Sequence, residues 1–131
     1  MTDQEICDRF LEIIRKHGLT VQDVVEPWAY DDGYGQEFIL SDEGRLEIID
    51  TIGGKRCESD GPTAYSVAAA LILRAIQDRL DGAGVMVCQE CRQADRYLVW
   101  VRGTLLNPRK PFPCRPSAML AAFDTILAET T

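Results

Sequence analysis

Thr63-Ala64-Tyr65-Ser66-Val67-Ala68-Ala69-Ala70-Leu71-Ile72-Leu73-Arg74-Ala75-Ile76-Gln77-Asp78-Arg79-Leu80 decides how this chain is organised. No glycine or proline interrupts it. Pro62 stands beside its first turn, where a missing N–H costs nothing, and Gly82 follows its end. Its middle, Ser66 to Leu73, is apolar nearly all round, the pattern of a central helix rather than a superficial one. The run of alanines lets another layer approach closely.

On its N-terminal side the spacing predicts a first helix from Asp3 to His17. Thr2 and Glu5 have the spacing of a capping box. Ile6, Phe10, Ile13 and Ile14 fall on one helical face, and Arg15, Lys16 and His17 suit the negative end of the helix dipole before Gly18. A short helix over Thr20–Glu26 is expected to end at Pro27. Residues 27–36 read as a loop. Gln36–Ser41 and Arg45–Thr51 read as a hairpin turned by Asp42-Glu43-Gly44, and Gly53-Gly54 breaks the pattern.

On its C-terminal side, Gly84–Cys88 and Arg96–Arg102 predict a second hairpin. Residues 104–115, with Pro108, Pro111 and Pro113, read as an extended surface connection. A last helix is expected from Pro116 to about Glu129, with Met119, Ala122, Phe123, Ile126 and Leu127 as its buried stripe.

The order α-(α)-β-β-α-β-β-α predicts a single α+β domain over residues 1–131: one four-stranded antiparallel sheet flanked by helices. The expected core is Phe10, Ile13, Leu46, Ile48, Leu71, Ala75, Val87, Leu98, Phe123 and Ile126.

The 131 residues carry a formal net charge of −7. The charge is segregated: residues 1–60 sum to −9 and residues 61–131 to +2. The overall acidity argues against general affinity for nucleic acid or anionic membranes. The acids crowd between Asp23 and Asp60. Such a face can steer a basic partner; it is equally the solvated surface of a soluble, monomeric protein. No apolar run reaches the length of a membrane span, and Met1-Thr2-Asp3-Gln4-Glu5 lacks the basic start and apolar core of a signal peptide. With five cysteines, an odd number, the expectation is a cytoplasmic chain with free thiols.

Cys88-Gln89-Glu90-Cys91 is the strongest short motif. A structural zinc site needs four ligands, and Cys57, Cys114 and His17 would have to converge on it from afar. A redox pair needs its first cysteine at a helix N-terminus, whereas this one ends a strand. No metal and no cofactor is therefore expected. His17 is explained by its helix end. There is no nucleophile elbow, Walker loop or dinucleotide fingerprint, and no pair of carboxylates stands in an apolar setting. The expectation is a protein that is not an enzyme. Arg92, Arg96, Arg102, Arg109, Lys110 and Arg115, interleaved with Tyr97, Trp100 and Phe112, are too dilute a positive field to predict direct nucleic-acid binding.

Tyr65-Ser66-Val67-Ala68-Ala69-Ala70, the hairpin with Trp100, and Pro116-Ser117-Ala118-Met119-Leu120-Ala121-Ala122 together resemble the small phage ABA-sandwich proteins over about residues 60–129. That resemblance implies a phage or prophage accessory protein without catalytic residues; the acidic N-terminal part lies outside it. In size, acidity and helix–strand order the chain also resembles type III secretion chaperones. That resemblance implies a dimer through the second helix, at Ala68, Leu71, Ile72 and Ala75, binding an effector segment.

The resulting expectation is a viral, phage- or prophage-encoded binding protein, monomer or homodimer. It would occupy a host protein or protein–nucleic acid complex, as an inhibitor of a bacterial defence complex of the anti-CRISPR type. The expected partner-binding residues are the acids Asp31, Asp32, Glu37, Asp42, Glu43 and Glu47, with Trp28, Tyr30 and Tyr34 as aromatic anchors.

Overall fold

The structure is a computed structural model. It describes every residue except 31–34, 51, 60, 91–94, 107–110 and 130–131, and the backbone only of Ala29 and Tyr30. Among the described residues three helices and seven strands follow one another: α1 (Asp3–Lys16), β1 (Trp28–Tyr30), β2 (Gln36–Leu40), β3 (Leu46–Asp50), β4 (Arg56–Ser59), α2 (Pro62–Gly82), β5 (Val85–Gln89), β6 (Tyr97–Val101), β7 (Thr104–Leu106) and α3 (Arg115–Glu129). A 3-10 turn, Val21–Asp23, lies between α1 and β1. The contacts divide within α2 into two compact units, residues 2–75 and residues 76–131 with Met1. None of the described helices is long and apolar enough to cross a membrane.

The expectation of one four-stranded sheet is corrected. The α+β class stands, but the strands form two separate antiparallel sheets, β1-β2-β3-β4 and β5-β6-β7. The reason is local. Each predicted hairpin recruits further strands through its own neighbours in sequence, so neither hairpin needs the other as its ladder partner. Residues 28–30, read as loop, pair with β2 in the register Trp28↔Phe38. Asp50 folds β4 back onto β3: its Oδ1 accepts the amides of Ile52 (3.0 Å) and Gly53 (3.1 Å), and Gly54 has φ +71°. Arg102 (φ 49°) and Gly103 (φ 84°) both take the positive φ of a two-residue type I′ turn and return β7 onto β6. Even the proline-rich segment, expected to be an extended surface connection, meets the sheet where Tyr97 and Phe112 exchange backbone hydrogen bonds of 2.8 and 2.9 Å.

In the first unit, α1 starts and stops as its sequence predicts. The Thr2 hydroxyl accepts the Glu5 amide, and Glu5 reaches back to Thr2. These bonds hold the Glu5 carboxyl below its ordinary range. At the other end the Leu19 amide bonds to Ile14 O (2.8 Å) and the Gly18 amide to Arg15 O (3.1 Å), with Gly18 at φ +71°. That is a Schellman stop, which requires a residue tolerant of positive φ. Ile6, Cys7, Phe10, Leu11, Ile13 and Ile14 are buried. The predicted helix over Thr20–Glu26 is only the 3-10 turn.

In the second unit, α3 packs on β5 and β6, over the inward side chains Val85, Val87 and Val99, all buried. Gly84, at φ +72°, takes the stop position after α2 that the sequence assigned to Gly82. Of the expected core, Phe10, Ile13, Leu46, Val87 and Phe123 are buried, while Ile48, Leu71, Ala75, Leu98 and Ile126 are half-buried.

Phe123 is 0% exposed. Replacing it with alanine leaves a cavity and is expected to cost about 3–5 kcal/mol in denaturant unfolding; wild-type stability would refute its place in the core. Burial, with Asp8 and Asp3 nearby, pushes the Cys7 thiol up to about 11 from 9.0. The unfolded thiol ionises first, so stability from keeping Cys7 neutral is full below pH 9 and is lost as pH rises from about 9 to about 11. Cys7→Ala is expected to flatten the alkaline loss of stability over that range, read as the difference from wild type in chemical unfolding.

Candidate functional site

Most of the expected site lies on or beside the four-stranded sheet, where residues directly opposite each other share a face. One face carries the transverse row Trp28, Phe38, Ile48, Cys57 and, next to it, Leu40, Leu46 and Ser59. Trp28 and Phe38 pack with ring centroids 5.5 Å apart at 30°. The opposite face carries Glu37, Ile49 and Arg56, then Ile39, Glu47 and Glu58.

The expected residues are therefore divided. Glu37 and Glu47 share a face. Trp28 is on the other, half-buried against Phe38. Asp42 and Glu43 sit in the β2–β3 turn. Asp31, Asp32 and Tyr34 lie outside the described residues, and Tyr30 is described only as a backbone partner of Gln36.

Several acids that make this segment look like a binding surface are engaged in holding it together. Glu47 and Glu58 are directly opposite, an arrangement that repels by itself. Arg56 pairs with Glu47 (3.1 Å) and Arg45 with Glu58 (3.2 Å), so the like charges are interleaved with cations. The Glu47 side chain is only 18% exposed. Asp42 Oδ1 accepts the amide of Val21 (3.1 Å), satisfying a free donor at the start of the 3-10 turn, and Asp42 O accepts from Arg15 (3.4 Å). Asp23 caps Thr20 (2.8 Å). Of the expected acids that are described, Glu37 and Glu43 alone have no such commitment.

Sequence reasoning missed a second surface. The outer face of the three-stranded sheet carries Met86, Cys88, Leu98, Trp100 and Leu105, in the pairs Met86↔Trp100↔Leu105 and Cys88↔Leu98. Met86 is 60% exposed and the others are half-buried. The signal was present: Tyr97-Leu98-Val99-Trp100-Val101 is apolar at both parities, and only one parity faces α3. Leu98, assigned to the core, belongs to this outer side.

Of the basic residues singled out in the second unit, two that are described have partners of their own. Arg96 pairs with Glu90 (2.7 Å), and Arg115 bonds to Val87 O (3.5 Å) and Gln77 Oε1 (3.2 Å); Arg92, Arg109 and Lys110 lie outside the described residues. So does Cys91, which leaves the C-x-x-C pair represented by half-buried Cys88. Among the described residues no three of His, Cys, Asp and Glu converge as metal ligands. A cavity of about 150 Å³, lined by Gly44, Arg45, Leu46, Ser59, Ala64 and Tyr65, lies in the first unit; it is smaller than the usual small-molecule site. Of the α2 residues that the chaperone resemblance assigns to a dimer, Ala68 and Ile72 are buried in the chain's own fold at 1% and 0% exposed, and Leu71 and Ala75 are half-buried. No family model, curated protein or solved structure matches the chain.

The two turn acids are expected to separate experimentally. Asp42→Ala removes the acceptor for Val21 and should lower stability by about 0.5–2 kcal/mol. Exposed Glu43→Ala should stay within about 0.5 kcal/mol of wild type. Equal effects in denaturant unfolding would refute the capping role.

Proposed function

We propose that the chain is a non-enzymatic binding protein that acts by occupying a macromolecular partner. The observation that carries this reading is the outer face of β5-β6-β7, where exposed Met86 adjoins Trp100, Leu98 and Leu105. A contiguous apolar sheet face of this kind is the usual mark of an interaction surface, and tryptophan and methionine are enriched where partners bind.

In its specific form, the partner is a host protein with a basic, nucleic-acid-binding surface. The chain is then a phage- or prophage-encoded inhibitor of a bacterial defence complex, of the anti-CRISPR type. What supports this form is the charge segregation, −9 over residues 1–60. Asp31, Asp32, Glu37 and Glu43 are the acids proposed to face the partner. Glu47 and Asp42 drop to supporting roles, since they hold Arg56 and the Val21 amide. Trp28, Tyr30 and Tyr34 remain proposed anchors.

The test is affinity capture from a host lysate with two variants, Met86→Lys and the quadruple reversal of Asp31, Asp32, Glu37 and Glu43 to lysine. Both are expected to lose the captured partner, and wild-type capture is expected to weaken as salt rises from about 0.05 to about 0.5 M. Capture that survives Met86→Lys refutes the sheet face. Capture that survives the charge reversal and ignores salt refutes the acidic mechanism.

A further inference from the structure

We propose that two copies of this chain associate through β4, antiparallel and centred on Cys57, to join their four-stranded sheets edge to edge. This inference does not depend on the partner reading above.

β4 is an outer strand of its sheet, and Arg56, Cys57 and Glu58 are all exposed. The ladder fixes where its backbone points. The Asp50 amide bonds to Lys55 O (2.8 Å), which makes Asp50 and Lys55 a hydrogen-bonded pair. Alternation then turns the amide and carbonyl of Cys57 toward β3, and those of Arg56 and Glu58 outward. No described residue bonds to those four outward groups. The corresponding edge of β5 is treated differently, since Arg115 reaches Val87 O there. An uncovered edge is a template for another strand.

The sequence of β4 selects the strand that fits. A two-fold antiparallel pair can place Arg56, Cys57 or Glu58 on its axis. With Arg56 there, two arginines face each other; with Glu58 there, two glutamates do, and like charges directly opposite are destabilising. With Cys57 on the axis, Arg56 faces Glu58 of the second copy, twice. In the same register the four outward groups of each copy form four main-chain hydrogen bonds, Arg56 N–H to Glu58 O and Glu58 N–H to Arg56 O on each side. Cys57 then meets its counterpart at a non-hydrogen-bonded position, where Cα atoms approach to about 4.5 Å.

Both faces of the sheet continue across this axis. The row Trp28-Phe38-Ile48-Cys57 runs on into the same row of the second copy in reverse order. On the other face Arg56 comes to lie between its own Glu47, at 3.1 Å, and Glu58 of the second copy. A four-residue strand pair buries little surface, so the dimer is a weak one, with Kd on the order of 10–100 µM.

The experiment uses the full chain at concentrations up to about 1 mM, well above that Kd. Sedimentation is expected to show twice the 14.7 kDa chain mass. Arg56→Glu and Glu58→Arg alone each create two like-charge contacts in the homodimer and should raise Kd at least tenfold, with unchanged circular dichroism. Mixing the two variants restores both attractive contacts, so the mixture should recover the dimer. Diamide, which takes up the two electrons and two protons released when two thiols join, should cross-link wild type through Cys57, since the expected Cα separation suits a disulfide; Cys57→Ser should abolish the product. A monomer at about 1 mM overturns the proposal. So does a dimer indifferent to both variants, a mixture that fails to recover, or no Cys57 cross-link.

Discussion

The β2–β3 turn is the point on which the first unit depends. Gly44 lies so close to α1 that a Cβ there would come within 2.6 Å of Leu11 Cδ1, and its φ is +81°. The positive φ favours glycine, and any side chain there would also push the Leu11 side chain aside. The same four-residue turn binds α1 through Arg15 and the 3-10 turn through Asp42. It is closed by two backbone bonds between Ser41, Gly44 and Arg45, each 2.9 Å. Immediately behind it, Leu40 and Leu46 are paired and buried. The hairpin register, the docking of α1 and the start of the Val21–Asp23 turn are thus one local arrangement. Sliding the register by one residue would turn Leu40 and Leu46 out and Glu47 in.

That arrangement explains why the density of acids overstates how many carboxylates are left uncommitted among the described residues. A carboxylate is the natural acceptor for backbone amides at turns and helix starts, and this segment contains several of each within a short length. Asp23, Asp42 and Asp50 accept such amides. Glu47 and Glu58 are interleaved with Arg45 and Arg56 across β3 and β4. The exposed Arg45–Glu58 pair contributes little stability by itself. The effect of the two pairs here is to offset the repulsion between two glutamates that the native register places directly opposite each other. The net charge is unchanged by any of this, but the number of acids free to meet a partner is smaller than the composition implies.

Local signals in the sequence were read well. The Thr2–Glu5 box rests on side-chain-to-backbone bonds, the Gly18 stop and the Gly44 turn on positive φ, and α2 on an apolar run free of glycine and proline; each is decided within a few residues, and all appear in the structure. The partition into two sheets was not read, because hydrophobic alternation identifies strands without naming their ladder partners. Two short signals would have helped. Asp50 followed by Gly53-Gly54 is a hairpin turn rather than a break, and Arg102-Gly103 is a two-residue turn. Each adds a strand to an existing hairpin and removes the need for the two hairpins to share a sheet. The site was less legible still. Trp28 was separated from Glu37 and Glu47 by the pleat, a consequence of β1 pairing with β2 that the loop reading of residues 27–36 could not contain.

The two units also divide the physics of recognition in the proposed reading. The first unit carries the charge, and charge acts at a distance: it raises encounter rates and falls away with salt. The second carries a sheet that is apolar on both sides, since Val85, Val87 and Val99 satisfy α3 while Met86, Leu98, Trp100 and Leu105 face away. Apolar contact acts only once water is removed, and it governs how long a complex lasts rather than how often it forms. Of these outward side chains, Met86 is exposed and the other three are half-buried; an exposed apolar side chain on a sheet carries an aggregation hazard that a fold ordinarily avoids by placing polar residues at alternate strand positions. Tyr97-Leu98-Val99-Trp100-Val101 does not alternate, although a threonine or lysine at Leu98 or Trp100 would leave the inward contacts of Val99 intact. Met86, the one described side chain of this outer face that is more than half exposed, is the position where the packing of the sheet gives least reason for an apolar residue.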